Sequence, residues 1–139
     1  MSQNADRLYA GYERFNLTRE YDMDLLAPDF ELHEGSGIID TAGVFRGRAA
    51  VIDVLRGLEE AFEELSWEIE RLDEVPDGRV LVFVRARGRG RGSGVETDAR
   101  IAHVWTFRDD KAVRMHVFDE RAEALEAVGL SDQDAHAES

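Results

Sequence analysis

The sequence predicts an α+β domain in which helices come first and an antiparallel meander of strands follows. Three observations support this fold class. Apolar residues recur at helical spacing in the first half, the period shortens from about 3.6 to about 2 residues from Ser66 onward, and turn signals separate the later segments. A chain of 139 residues has the usual size of one domain. We therefore expect one domain over residues 1–130 and a flexible polar tail over 131–139.

The chain is expected to begin with two helical segments. Leu8, Tyr12 and Phe15 recur at helical spacing, which predicts an amphipathic first helix. A second, shorter helical segment is expected over residues 21–27. Pro28 should end it, because proline disfavours helix in the residue before it and cannot donate a backbone hydrogen bond.

A strand, a loop and a long helix follow. Phe30, Leu32 and Glu34 alternate with other residues, so they share one face of a strand. The stretch from Gly35 to Gly43 holds three glycines and is expected to be a loop. The clearest helix comes next, and its apolar stripe consists of Val51, Ile52, Leu55, Leu58, Phe62 and Leu65.

Four strands and a final helix make up the second half. The expected strands run from Trp67 to Val75, Arg79 to Gly90, Val95 to Phe107 and Ala112 to Asp119. The short turns between them predict that neighbouring strands pair antiparallel. A helix over residues 121–128 should then stop at Gly129, because glycine favours the left-handed conformation at helix ends.

Charge pairing selects a register for the central hairpin. If Val84 faces Ile101, then Arg87 faces Asp98 and opposite charges meet. The same alternation predicts these neighbours in the last hairpin: Trp105 with Val113, His103 with Met115 and Ile101 with Val117. One face of the sheet should then carry apolar residues and two ionisable groups: Val80, Val82, Val84, Ile101, His103, Trp105, Val113, Met115, Val117 and Asp119.

The two faces of this sheet call for different explanations. An apolar wall with a few polar groups suits a small-molecule pocket, and it also suits an ordinary core in which a buried histidine is hydrogen-bonded. The outer face is too apolar to leave in water, since it carries Leu81, Phe83, Ala102, Val104 and Phe118. Burial against a second copy of the chain would cover it, which predicts a homodimer through the outer sheet face.

Composition argues against several classes of protein. The chain has 30 acidic and 17 basic residues, for a net charge of −13. This charge argues against nucleic-acid binding, which needs clustered positive charge, and against docking to an anionic membrane. Without cysteine there is no disulfide, thiol catalysis or cysteine-ligated zinc, and no histidine pair has metal-ligand spacing. We expect a cytoplasmic protein that uses neither a metal nor a cofactor.

Four stretches, in this order along the chain, point to a known superfamily. They are LLAPDFELHE at residues 25–34, FRGR at 45–48, AHVWTF at 102–107 and FDERAEALEAVGL at 118–130. The chain resembles the nuclear transport factor 2-like superfamily, and within it the SnoaL-like group related to polyketide cyclases and ketosteroid isomerases. The resemblance implies a cone-shaped α+β barrel, with N-terminal helices packed on a strongly curved antiparallel sheet and a pocket in its mouth. It implies no single function, because the fold carries isomerases, cyclases and inert binders.

Taken residue by residue, the resemblance implies an acid/base site. Glu34 matches the aspartate that is the general base of ketosteroid isomerases. His103 matches the protonated aspartate of their oxyanion hole. The tyrosine of that oxyanion hole falls near Gly11, with Tyr9 and Tyr12 beside it on other helical faces.

Asp119 resembles the late-strand pocket aspartate that some cyclases of the group use with a histidine, and its alternative role is to cap the final helix. The candidate catalytic residues are His103, Asp119 and Glu34, and the candidate substrate-binding residues are Tyr9, Tyr12, Trp105, Met115, Ile101 and Val82. Two functions are open. One is a cofactor-free acid/base enzyme of the isomerase, cyclase or dehydratase type that acts on a hydrophobic carbonyl compound. The other is a binding module that holds a lipophilic metabolite without turnover. Either function makes a small hydrophobic molecule the partner of the pocket.

Overall fold

Six strands form one sheet, and helices pack on both of its faces. The computed structural model describes residues 2–34 and 43–130. Its helices are α1 (Gln3–Thr18), α2 (Arg48–Ala61) and α3 (Arg121–Ala127), with a short 3-10 turn at Met23–Leu25. Its strands are β1 (Leu26–Glu34), β2 (Gly43–Arg46), β3 (Phe62–Glu74), β4 (Val80–Gly90), β5 (Glu96–Arg108) and β6 (Lys111–Phe118). The predicted polar tail at 131–139, and the predicted loop up to residue 42, lie outside the described residues.

The sheet order is β2-β1-β6-β5-β4-β3. The strands β3 to β6 form the predicted antiparallel meander. The sheet as a whole is mixed, because β1 pairs parallel with β6 and antiparallel with β2. This corrects the expectation of a purely antiparallel sheet. The parallel pair arises because α2 and four strands separate β1 from β6 along the chain, which leaves room for a crossover.

The first helix forms as its pattern predicts. The hydroxyl of Ser2 accepts a hydrogen bond from the backbone N–H of Ala5 at 3.1 Å and so caps the helix start. Leu8, Tyr12 and Phe15 form the buried face of α1. This face of α1 is turned toward the sheet, and α1 contacts the sheet at β3.

The helical segment predicted at 21–27 is wrong. Only Met23–Leu25 form a turn of 3-10 helix, and β1 already begins at Leu26. Pro28 lies inside this strand, between the pair formed by Leu26 and the pairs that resume at Glu31. A proline is tolerated there because its missing N–H interrupts no ladder hydrogen bond.

The long helix α2 ends earlier than its stripe predicts. Phe62 and Leu65, which were expected to continue the helix, lie in β3. Phe62 pairs with Gly90 of β4, whereas Leu65 lies at the irregularity between Glu63 and Ser66. A β-carbon added to Gly88 of β4 would lie 3.3 Å from Leu65 Cδ1 and 3.4 Å from Phe62 Cβ. Because Gly88 has no side chain, Phe62 and Leu65 can pack closely against it in the extended conformation of β3.

The register of the β4–β5 hairpin is as predicted. Val82 pairs with His103 and Val84 pairs with Ile101. Arg87 and Asp98 also pair, as Cα partners. The hydrophobic alternation specifies this register, since a slip by one residue would turn the apolar side chains to the opposite face.

The ion pairs of this hairpin are not the ones expected. Asp98 binds Arg85 diagonally, with Nη2 and Oδ2 2.6 Å apart. Arg87 instead pairs with Glu68 of β3, and Arg89 pairs with Glu64. The third strand offers carboxylates on the same face, so long arginine side chains reach sideways rather than straight across. Such exposed pairs contribute little stability, about 0–1 kcal/mol each.

The register predicted for the last hairpin is wrong by two residues. Trp105 pairs with Met115 rather than with Val113, and His103 pairs with Val117. A shift by two residues keeps each of these side chains on its predicted face. Two features cause this shift. The turn pairs Arg108 with Lys111, which moves the register by one residue, and a bulge between Thr106 and Phe107 moves it by one more.

The bulge also changes which residue of β6 enters the core. Phe107 pairs with Ala112 and Thr106 pairs with Arg114, so Val113 is the extra residue. Ala112 is fully buried in the inner core cluster, whereas Val113 is only half-buried. The expectation that Val113 lies on the inner face beside Trp105 is therefore wrong.

The outer face of the sheet is covered by the chain's own last helix. One buried cluster joins this C-terminal segment to the outer face. The segment contributes Ala124, Leu125 and Val128, and the sheet together with the residue after β3 contributes Val75, Leu81, Phe83, Ala102 and Val104. The argument that this face needs a second copy of the chain is therefore wrong. The homodimer itself stays a prediction.

The end of α3 provides a test of its capping. Gly129 has a φ of +76°, in the left-handed region, and Leu130 N–H donates to Leu125 O at 2.8 Å. Replacing Gly129 with alanine is expected to lower the free energy of unfolding by about 1 kcal/mol. Gly57→Ala in α2 is the matched control, because Gly57 has open space around it and a helical conformation. That substitution should raise the free energy of unfolding by about 0.5–1 kcal/mol. Urea unfolding measures both, and changes of the same sign would contradict this description of the two positions.

No helix among the described residues is long and apolar enough to cross a membrane.

Candidate functional site

A cavity lies between the helices and the inner face of the sheet. Its volume is about 130 Å³, close to the roughly 150 Å³ of a cavity that accepts benzene. Its walls are mostly apolar and aromatic, and they consist of Leu8, Gly11, Tyr12, Phe15, Tyr21, Asp22, Met23, Leu25, Leu26, Phe30, Leu32, Glu34, Val51, Leu55, Trp67, Ile101, His103, Trp105, Met115 and Val117. The cavity therefore has the size of a molecule built on one ring.

Six of the residues predicted for the site line this cavity: His103, Glu34, Tyr12, Trp105, Met115 and Ile101. Glu34 is 8% exposed and His103 is 5% exposed. Strand alternation explains both positions. Glu34 shares the buried face of β1 with Phe30 and Leu32, and His103 shares the inner face of β5 with Ile101.

Three predicted site residues lie elsewhere. Asp119 is exposed, because β6 ends at Phe118 and the alternation that pointed Asp119 inward does not extend to it. It does not cap α3 either, since the N-cap residue is Glu120. Tyr9 is 40% exposed, because it follows buried Leu8 by one residue and so turns to the solvent side of α1. Val82 is fully buried in the core cluster and does not line the cavity.

A chain of hydrogen bonds joins three aromatic side chains in the cavity wall. Trp105 Nε1 donates to the Tyr12 hydroxyl oxygen at 2.9 Å. The Tyr12 oxygen and His103 Nδ1 are 2.5 Å apart. An indole N–H can only donate, so Tyr12 accepts from Trp105. The tautomer in which the Tyr12 O–H donates to Nδ1 leaves the ring proton of His103 on Nε2.

Burial sets the protonation of both central groups. Desolvation lowers the pKa of His103 to about 3 and raises the pKa of Tyr12 far above its ordinary value. Both side chains are therefore neutral at physiological pH. A neutral imidazole offers one N–H donor, which is Nε2–H in the tautomer whose Nδ1 accepts from Tyr12. Within the part of the chain that the structure describes, no side chain or backbone group accepts a hydrogen bond from Nε2.

A second tryptophan–tyrosine pair faces the same cavity and was missed by the sequence analysis. Trp67 Nε1 donates to the Tyr21 hydroxyl at 3.3 Å. The Tyr21 ring stacks on Phe15, with centroids 4.2 Å apart, and burial raises the pKa of Tyr21 to about 12. The inward position of Trp67 was readable from its alternation with Ile69 on β3. Tyr21 gave no such signal, because it lies in the irregular segment between α1 and β1.

The charges around the cavity are negative or neutral. Two residues with carboxylates line it, Glu34 and Asp22, and Asp22 forms an ion pair with Arg7 at 3.2 Å. No arginine or lysine of the described ranges is among the lining residues. A ligand with a net negative charge would lose its hydration without gaining a cationic partner in the wall, so the cavity suits an uncharged ligand. Within residues 2–34 and 43–130 there is also no group of three or more His, Cys, Asp or Glu side chains placed to hold a metal ion.

The low pKa of His103 predicts a pH dependence of stability. The unfolded chain binds a proton at this residue below about pH 6.5, whereas the folded chain does so only near pH 3. Stability is therefore complete above pH 6.5 and falls as the pH falls from 6.5 toward 3. Between pH 6.5 and 5 the loss should be about 2 kcal/mol, at about 1.4 kcal/mol per pH unit.

The measurement is urea unfolding at several pH values in the wild type and in His103→Gln. The variant should lack this slope, whatever its stability at pH 7. Other histidines do not disturb the comparison because they are present in both proteins. Equal slopes would show that His103 is protonated, or exposed to water, in the folded protein.

Three helices on a six-stranded mixed sheet, with an aromatic cavity that contains a tyrosine–histidine hydrogen bond, define a small α+β pocket protein. The family model of the SnoaL-like domain matches residues 5–115. The chain belongs to this SnoaL-like family of the nuclear transport factor 2-like (NTF2-like) superfamily, and its α+β fold is the cone-like fold implied by the resemblance.

Solved structures with the same fold align with almost the whole chain. An NTF2-like protein of unknown function from Burkholderia pseudomallei is 23% identical with a TM-score of 0.75, and the alignment covers 92% of this chain and 98% of that one. TerC, co-crystallised with polyporic acid, is 23% identical with a TM-score of 0.72, covering 92% and 99%. The epoxide hydrolase/cyclase-like enzyme SalBIII, which has a role in pyran ring formation in the polyether salinomycin, is 21% identical with a TM-score of 0.69, covering 86% and 92%. No curated protein matches the chain. At these identities the likeness shows the fold.

Proposed function

We propose that this protein is a cofactor-free acid/base enzyme, of the isomerase, cyclase or dehydratase type, that acts on a small uncharged carbonyl compound. One observation carries the proposal. The hydrogen-bonded residues Trp105, Tyr12 and His103 line the same apolar cavity as Glu34. A fixed donor and a carboxylate base in one water-poor cavity are the two groups that enolisation requires.

The proposed step needs no group beyond the chain. The Glu34 carboxylate takes a proton from the carbon next to the carbonyl, and the electron pair of that C–H bond becomes the carbon–carbon double bond of an enolate. The carbonyl oxygen takes up the negative charge and accepts a hydrogen bond from His103 Nε2–H. Protonated Glu34 then returns the proton to the same carbon, to another carbon or to a leaving group, which gives exchange, isomerisation or elimination.

The Trp105–Tyr12 pair has a defined part in this step. Because the Tyr12 O–H donates to Nδ1, the ring proton of the neutral imidazole lies on Nε2 and can be donated to a ligand. Because His103 has a pKa of about 3, it remains a neutral donor across the physiological range and needs no protonation before it can act. Hydrogen bonds in such a chain also polarise one another, which strengthens the terminal donor.

Size and charge narrow the substrate. A cavity of about 130 Å³ fits a single ring rather than a fused ring system. Among the described lining residues the ionisable groups are carboxylates, two tyrosines and neutral His103, so carboxylate or phosphate substrates are disfavoured. The similar structure of SalBIII, described as an epoxide hydrolase/cyclase-like enzyme, supports cyclase-type chemistry as a use of this fold.

The experiment is deuterium exchange into cyclohex-2-enone in D₂O, followed by proton NMR. Exchange reports proton abstraction next to a carbonyl without any knowledge of the natural product. The wild-type protein should accelerate exchange in proportion to its concentration, and the rate should saturate with ketone. A rate equal to that of buffer alone, at ketone concentrations that saturate binding, would overturn the acid/base proposal.

The second candidate is a binding module that holds a small lipophilic molecule without turnover. The observation that favours it is that polar groups of the cavity wall bind one another. Trp105, Tyr12 and His103 Nδ1 are joined by hydrogen bonds, and Trp67 donates a hydrogen bond to Tyr21. A wall arranged in this way is stable without a substrate. Saturable binding of cyclohex-2-enone with no exchange above buffer would establish this function in place of the enzyme.

A further inference from the structure

We propose that the hydroxyl of Tyr21 is a second hydrogen-bond donor to the substrate oxygen, beside His103 Nε2–H. This inference rests on the proposed function and adds to it a catalytic residue that neither the sequence pattern nor the family resemblance indicates. It makes the oxygen site a pair of donors from two different parts of the chain, the segment before β1 and strand β5.

The hydroxyl of Tyr12 is already used in hydrogen bonds within the cavity wall. Its oxygen lies 2.5 Å from His103 Nδ1 and accepts from Trp105. In the tautomer with the ring proton on Nε2, the single proton of Tyr12 is used in the bond to Nδ1, so Tyr12 cannot also donate to a substrate. Gly11, the position that matches the family's tyrosine, lines the cavity without a side chain.

The O–H group of Tyr21 is available as a hydrogen-bond donor. Its oxygen accepts from Trp67 Nε1 at 3.3 Å. Among residues 2–34 and 43–130, no group accepts a hydrogen bond from the Tyr21 hydroxyl. Its pKa of about 12 keeps the phenol protonated at physiological pH. The bond received from the indole polarises the O–H group and makes it a better donor.

Tyr21 and His103 both adjoin Trp67. The Trp67 ring lies 5.8 Å from the His103 ring, between centroids, and the same indole donates to Tyr21. Tyr21 and His103 are thus both neighbours of one side chain in the cavity wall. Stacking of Tyr21 on Phe15 at 4.2 Å fixes the ring, so the hydroxyl does not have to be ordered when a substrate binds.

The test uses cyclohex-2-enone labelled with ¹³C at the carbonyl carbon, observed by NMR when bound to the protein. Hydrogen bonds to the oxygen move this resonance downfield. The bound wild-type resonance should lie downfield of its position in an apolar solvent. In Tyr21→Phe it should move part of the way back, the Kd should rise by up to about tenfold, and exchange should slow on the order of 100-fold.

Tyr9→Phe is the matched control, because Tyr9 is a half-exposed tyrosine outside the cavity, and it should leave the resonance unchanged. Trp67→Phe is an independent variant that leaves the Tyr21 hydroxyl in place but removes the indole donor. It should move the resonance upfield by a smaller amount. An unmoved resonance in Tyr21→Phe, or in Trp67→Phe if Tyr21→Phe does not fold, would overturn the role of Tyr21 and leave only a structural one.

The outcomes also separate this inference from the proposed function. A resonance that moves in His103→Phe but not in Tyr21→Phe contradicts the second donor and leaves the acid/base proposal intact. A wild-type resonance at the position found in an apolar solvent contradicts both, because no donor then reaches the carbonyl oxygen. Absence of saturable ketone binding to the wild type likewise overturns both.

Discussion

Replacing Glu34 with glutamine is expected to slow deuterium exchange into cyclohex-2-enone by about 10²- to 10⁴-fold, the usual contribution of a positioned general base. Glutamine has nearly the same shape as glutamate, but its amide cannot accept the proton from carbon. Glu34 is buried on the inner face of β1 and lines the cavity together with Phe30 and Leu32. The variant should therefore keep the cavity and bind the ketone while it loses the base.

Two further variants make this result specific. Asp119→Asn removes an exposed carboxylate outside the cavity and should leave the exchange rate within twofold of the wild type. Glu34→Asp keeps a carboxylate but shortens its reach, so a part of the rate should remain. Wild-type exchange in Glu34→Gln, with an unchanged urea midpoint, would show that the base is a different group.

Replacing Phe30 with alanine should have the largest effect on stability, a loss of about 3–5 kcal/mol in the free energy of unfolding. Phe30 is only 1% exposed and is the largest of the fully buried side chains in the described part of the chain. Its ring lies 6.1 Å from that of Trp105 and forms part of the cavity wall. Its removal loses apolar burial and joins a new void to an existing cavity, which leaves Trp105 less supported.

Urea unfolding with a fixed slope measures this loss. Leu17→Ala is the control, since Leu17 lies at the end of α1 with 85% of its surface exposed, and its change should stay within about 0.5 kcal/mol. A loss below 1 kcal/mol in Phe30→Ala would mean that the cavity collapses around the missing ring. The proposed rigid pocket would then be incorrect.

The parts of the fold that the sequence predicts are those that a hydrophobic period specifies. The β4–β5 register follows from alternation, and it brings His103 to the inner face opposite Val82. The register of β6 does not follow, because no local pattern marks the turn that pairs Arg108 with Lys111 or the one-residue bulge at Val113. The parallel pairing of β1 with β6 depends on contacts between distant segments, which a period cannot encode.

The candidate site shows the same division. Strand alternation and the family resemblance together predicted that His103 and Glu34 point inward. They did not predict that Tyr12 reaches His103, since a pair 91 positions apart in the chain becomes visible only when α1 is packed on the sheet. Tyr21 was missed because irregular backbone carries no period at all. Asp119 was misplaced because the alternation was extended one residue beyond the end of β6.

The proposed function depends most directly on one hydrogen bond, which His103 Nε2–H donates to a ligand oxygen inside the cavity while Tyr12 donates to Nδ1. A crystal structure with bound cyclohex-2-enone tests it most directly. The carbonyl oxygen should lie about 2.7–3.2 Å from His103 Nε2, with the carboxylate of Glu34 beside the carbon next to the carbonyl. A ketone whose oxygen points away from His103, or a ring that offers Nδ1 rather than Nε2 to the cavity, would contradict the account.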